Sequence, residues 1–135
     1  MRIDTDALKA IYQTVPALAS KTFVSIAPHG TALPYAVLHP SDGRDSQERV
    51  SGPRVTRHPR FTAHIFGATG EQVQALADLV KPKLVVNGRG IVLSVAGWKN
   101  KPVWYEAPVP IQVDWEGPEP VAFHVAEIGW TSDPD

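Results

Sequence analysis

The 135-residue chain has no cysteine. This excludes a disulfide framework, thiolate metal ligands and a thiol nucleophile, and it fits folding in a reducing compartment. No apolar run approaches the ~20 residues that cross a bilayer, and Met1-Arg2-Ile3-Asp4-Thr5-Asp6 does not read as a secretory signal, so no membrane partner is expected. The formal net charge of -1 lacks the basic excess of a general nucleic-acid binder. Phosphate-binding loops are missing too. Gly88-Arg89-Gly90 and Gly67-Ala68-Thr69-Gly70 have neither the Lys-Ser/Thr of a nucleotide loop nor the glycines of a dinucleotide fingerprint. No serine sits in a Gly-x-Ser-x-Gly elbow.

What is present is an ordinary globular composition, 43% hydrophobic and 20% charged, at a length that suits one domain spanning 1–135. Charge is placed unevenly. Residues 1–60 carry eight Lys/Arg against five Asp/Glu, and residues 61–135 carry five against nine. After Lys101 no basic residue follows, while Glu106, Asp114, Glu116, Glu119, Glu127, Asp133 and Asp135 do. Arg44, Arg49, Arg54, Arg57 and Arg60 crowd one stretch. A basic face of one copy meeting an acidic face of the next would give a head-to-tail contact, the kind that builds rings or filaments.

Hydrophobic periodicity supplies the elements. Asp4 is the expected N-cap of a first helix, whose apolar stripe is Ala7, Leu8, Ile11, Tyr12 and Val15. Short strands are expected at 23–27 and 33–39. From Pro40 to Pro59 the pattern vanishes, which suggests a long polar loop available to a partner. Alternation resumes over 60–67 with both faces partly apolar, as in an interior strand. Thr69 and Gln72 fit a capping box, and Val73, Leu76, Ala77 and Val80 follow at helical spacing, with Pro82 bending or ending the helix. Strands are then expected at 91–95, 111–116 and 121–130, with turns at 87–90, 97–102 and 117–120. This order predicts an α+β fold, a mostly antiparallel mixed sheet with two helices packed on one face and the long polar loop between central strands.

Five histidines, His29, His39, His58, His64 and His124, are the first candidates for chemistry. None lies on an expected helix, and no spacing matches a common zinc site. They read as structural, although His64 and His124 lie mid-strand and facing each other would be the basis of a small metal-binding or hydrolase domain. Asp114 and Glu116 share one face of a strand and read as its solvated side, without the cleft a catalytic pair needs. All four tryptophans fall in the last forty residues. Trp residues in strands commonly pack a core, and large rings also anchor interfaces. Trp104, among prolines, and Trp130, near the acidic terminus, are the candidates for a partner contact, with Glu127 as an acidic one. No cofactor, metal or catalytic residue is assigned.

Leu33-Pro34-Tyr35-Ala36-Val37-Leu38, the polar loop, His58-Pro59-Arg60-Phe61-Thr62-Ala63-His64-Ile65-Phe66-Gly67, the capped helix and the ending Ala122-Phe123-His124-Val125-Ala126-Glu127-Ile128-Gly129-Trp130 together resemble the tail-terminator (tail-completion) proteins of long-tailed bacteriophages. The resemblance runs over nearly the whole chain. It implies a non-enzymatic virion protein, assembled in the host cytoplasm, whose hexameric ring caps the tail tube at the neck. Such a ring stops tube growth and offers a surface to the head-tail connector or stopper, and DNA passes its lumen without specific binding. Arg44, Arg49, Arg54 and Arg57 are then assigned to protein contacts. A head-tail stopper or adaptor of the phage neck is the alternative.

Overall fold

The structure is a computed structural model that describes residues 2–41 and 56–135. Helix α1 (Arg2–Tyr12) opens the chain, and a short 3-10 turn at Pro16–Leu18 follows. Strands β1 (Thr22–Val24), β2 (Tyr35–Ser41) and β3 (Arg60–Gly67) precede helix α2 (Gly70–Leu84). Six further strands and a terminal one complete it: β4 (Val85–Val86), β5 (Arg89–Gly90), β6 (Trp98–Asn100), β7 (Trp104–Glu106), β8 (Gln112–Asp114), β9 (Val121–Gly129) and β10 (Ser132–Pro134).

The main sheet has six strands in the order β1-β2-β3-β9-β7, with β8 pairing β9 beside β7. Only β1 with β2 is parallel. The expected α+β fold, a mostly antiparallel mixed sheet with two helices, is the observed one. The longest strands, β3 and β9, pair in register from Arg60 opposite Gly129 to Gly67 opposite Ala122. Burial alternates along both, which assigns Phe61, Ala63, Ile65, Ala122, Ala126 and Ile128 to the helix-covered face. Alanines at 36, 63, 122 and 126 leave room for the helices to approach the strands closely. Leu8 and Tyr12 of α1 join Val73, Leu76, Ala77, Val80 and Leu84 of α2 over them in one core.

The capping box forms with one change of partner. Thr69 Oγ1 accepts from the Gln72 backbone N–H at 3.1 Å, while Gln72 Oε1 accepts from the Ala68 N–H, one residue before the cap. Pro82 does not end α2. It lies in the last turn, and the helix continues to the fully buried Leu84.

Other expectations are corrected. Asp4 is not an N-cap: α1 begins at Arg2, and Asp4 lies inside the first turn, fully buried. Residues 91–95 do not form a strand although Leu93 and Val95 are buried. The Leu93 carbonyl accepts from the Asn100 side chain at 2.8 Å, so no continuous ladder runs there. Within the expected turn at 97–102, Trp98–Asn100 is strand β6, paired with β10. Residues 42–55 of the expected polar loop lie outside the described residues, and at its end Arg57 bridges to Ser132.

Gly90 permits a close approach. A Cβ there would collide with the backbone carbonyl of Val103, whose N–H in turn donates to the Ile91 carbonyl at 2.9 Å.

Candidate interaction surface

The sheet face away from the helices carries the other half of the alternation: Tyr35, His39, Thr62, His64, Phe66, Phe123, Val125 and Glu127, all half-buried. Among the described residues neither helix lies over them, and they pack on one another. Tyr35 and Phe66 pack at 5.1 Å between ring centroids, Phe66 and Phe123 at 6.0 Å, and His64 stacks on Phe66 at 5.6 Å. Phe23 meets the edge of Tyr35 at 6.3 Å, and His39 meets His64 edge-on at 4.9 Å. The result is a belt of rings crossing the sheet from β1 to β9. Trp104 of β7 extends it, lying over Gly129 so closely that an added Cβ would come within 2.5 Å of the ring. The Arg60 guanidinium lies 5.3 Å from the Trp104 ring centroid.

His64 and His124 do not meet. Ile65, not His64, is the partner of His124 across β3 and β9, so the two imidazoles sit on opposite faces of the sheet. A site built jointly on them is therefore ruled out by the pleat. His64, on the open face, is pushed below the usual histidine range by burial and then by His39. His124, beneath α2, is pushed down by burial, with Asp78 opposing. It lines a cleft of about 260 Å³ with Gln74, Asp78, Lys81, Tyr105 and Ile111. Burial and then Asp78 push the Tyr105 phenol up. Among the described residues, no group of three or more His, Asp or Glu is placed to hold a metal ion.

The candidate contact residues scatter. Arg44, Arg49 and Arg54 lie outside the described residues. Arg57 turns inward: its guanidinium donates to both carboxylate oxygens of Asp4, at 2.7 and 3.3 Å, and lies 3.6 Å from the Trp98 ring centroid. Trp130 is a core residue, 1% exposed and stacked on Phe61 at 5.4 Å, and so has no surface to offer a partner. Trp104 is half-exposed and lines a cleft of about 380 Å³ with His58, Arg60 and Glu106. Glu127 stands on the open face beside Thr62.

Two features escaped the sequence reading. One is a second cleft on the open face, about 240 Å³, lined by Ser25, Ile26, Ala27, Tyr35, Val37, His39 and Phe66. The other is the arm of β8 and the turn after it, residues 112–120, exposed throughout, where Trp115 is 74% exposed. Four prolines in 108–120 were the available signal for that arm, since they stiffen a segment without a core to hold it.

Neither a protein-family model nor a curated protein matches this chain. Among solved structures, its fold matches a chain of the virion of a native gene transfer agent particle, with a TM-score of 0.62. The match covers 95% of this chain and 96% of that one at 16% identity, and so establishes a shared fold. A second solved structure, 17% identical over 97% of this chain and 95% of its own, superposes with a TM-score of 0.45.

Proposed function

We propose that this chain is a structural component of a phage-like virion, a tail-terminator subunit whose ring caps the tail tube and receives the head connector. The observation that carries this reading is the fold shared end to end with a gene-transfer-agent virion chain. The open aromatic face supports it as well. A sheet face of half-exposed rings is costly for an isolated protein and suits one that buries it on assembly. The subunit acts by shape and transforms no substrate. The hexameric ring, the tube contact and the connector contact belong to this proposal, as does a lumen through which DNA slides.

The test is electron microscopy of the purified chain mixed with tail-tube subunits of the phage-like particle that encodes it. Six-fold rings seated on tube ends, and tubes that cease to lengthen, are the expected result. Deletion in the producing strain separates the neck components. Loss of a terminator leaves tails of unregulated length, whereas normal tails with heads that leak DNA would assign the chain to the stopper or adaptor position instead.

A further inference from the structure

We propose that the exposed 112–120 arm of one copy docks, through Trp115, in the open-face cleft at the β1–β2 margin of the next copy. This rests on the ring reading above and names the contact that closes the ring.

The strand order puts the two surfaces at opposite margins of one sheet. The arm leaves at β8, beside β9, and the cleft of Ser25, Ile26, Tyr35, His39 and Phe66 lies at β1 and β2. Strands pair about 4.8 Å apart, so four spacings separate the margins by about 19 Å. One subunit can therefore give its arm and receive its neighbour's at the same time. Each added copy leaves one arm and one cleft free, which is the condition for a head-to-tail ring.

The chemistry of the two surfaces is complementary. The arm offers Trp115 and the 44% exposed Val113 as apolar groups, and its charges, Asp114, Glu116 and Glu119, are all acidic. The receiving margin has rings and aliphatic groups, with Ile26 left 78% exposed at its rim. Between Asp6 and Asp42 the chain has no acidic residue at all, only Lys9, Lys21 and the histidines 29 and 39. An acidic arm thus meets a cleft whose lining residues include no acid. The arm is also preorganised. The Glu116 N–H donates to Asp114 Oδ1 at 2.9 Å, and Pro118 and Pro120 fix the return into β9. Little chain entropy is left to lose on docking, and a rigid exposed indole is a favoured interface anchor.

The test uses the absence of cysteine. In the full chain, Glu116→Cys creates a unique thiol for a maleimide-benzophenone label. Irradiation of mixed light and isotope-labelled copies across a concentration series should give between-copy crosslinks into residues 22–41 and 60–67, and a ladder running past the dimer. Trp115→Ala, whose side chain touches no core, should keep the thermal unfolding profile and weaken self-association at least about tenfold. Rings that form equally well with Trp115→Ala, or between-copy crosslinks that map elsewhere, would overturn the arm contact and leave the ring reading intact. A ladder that stops at two would overturn the head-to-tail arrangement. Absence of any between-copy crosslink at every concentration, with no rings on tube ends, would remove both.

Discussion

Asp4 is a carboxylate with no solvent exposure, and the Arg57 guanidinium, 17% exposed, contacts both of its oxygens. Arg57 also reaches Ser132 Oγ at 3.3 Å, and that hydroxyl donates to Asn100 Oδ1 at 2.6 Å. The polar chain fastens α1, the segment entering β3, β6 and β10 at one point. Removing Arg57 takes the cation away from a carboxylate that has no solvent exposure. Arg57→Met is therefore expected to lower unfolding free energy by about 3 kcal/mol. Asp4→Asn should cost a similar amount, and the double variant clearly less than the sum of the two, as measured by urea denaturation. His64 gives a second residue-scale prediction. Its ring faces His39 on β2, Thr62 and Phe66 on β3, and Phe123 and Val125 on β9, and its buried Nδ1 has no hydrogen-bond partner among the described residues. Burial holds its folded-state pKa below the ordinary 6.5. Above pH 6.5 the ring is neutral whether folded or not, and its full contribution is present. As pH falls past 6.5 the unfolded chain takes the proton first, so stability declines until the folded ring also protonates. His124 adds a decline of the same sign. Stability measured by denaturant titration should fall as the pH drops below about 6.5, and His64→Phe should flatten that slope.

At the scale of the element, the best-read parts are those whose partners are dictated by periodicity. Strand β3, helix α2 and strand β9 each bury one face along their whole length, so the alternation of Phe61 to Phe66 and the spacing of Val73 to Val80 were sufficient to find them. The N-terminus of α2 was equally legible because its cap lies within four residues. Thr69→Ala should therefore destabilise by about 1 kcal/mol in thermal or urea unfolding, while Thr69→Ser should be nearly silent. Elements held by distant partners were not legible. β6 and β10 are three residues each, and Asn100 opposite Ser132 is a pairing that no local pattern announces. The Ile91–Val95 run does alternate buried and exposed, yet its backbone groups bond to Leu84, Val103 and the Asn100 side chain instead of a strand. Burial periodicity reports which side faces the core and is silent on what pairs with the backbone. The same limit hid the candidate surface. Tyr35, His39, His64, Phe66 and Phe123 were visible as strand residues, but that they form one continuous belt depends on the register of three strands. Trp115 read as part of a half-exposed strand, and only the lack of a layer above β8 among the described residues leaves the indole exposed. Trp130 erred the other way, because its nearness to an acidic terminus suggested a surface while Phe61, far away in the chain, supplies its stacking partner.

For the molecule as a whole, the uneven distribution of charge remains after the fold is known, and it makes a claim separable from the apolar contact. The 102–135 stretch, which has no Lys or Arg, forms β7, β8, β9, the arm and β10, whereas the acid-free stretch between Asp6 and Asp42 forms β1, β2 and the second half of α1. Opposed charges of this kind guide approach over about a Debye length, ~10 Å at 0.1 M salt and ~3 Å at 1 M. They act mainly on the rate of encounter, while a docked indole acts mainly on the rate of escape. Raising sodium chloride from 0.05 to 0.5 M should therefore slow self-association of the chain severalfold and leave its dissociation rate nearly unchanged, as followed by stopped-flow light scattering. Trp115→Ala should do the reverse at both salt concentrations. Asp114→Lys combined with Glu116→Lys should abolish the salt dependence or invert it, since the arm would then carry cations where it had carboxylates. Association that quickens with added salt in the native chain would mean that apolar burial alone drives assembly, and that the division of charge between the two sheet margins has no part in choosing the neighbour.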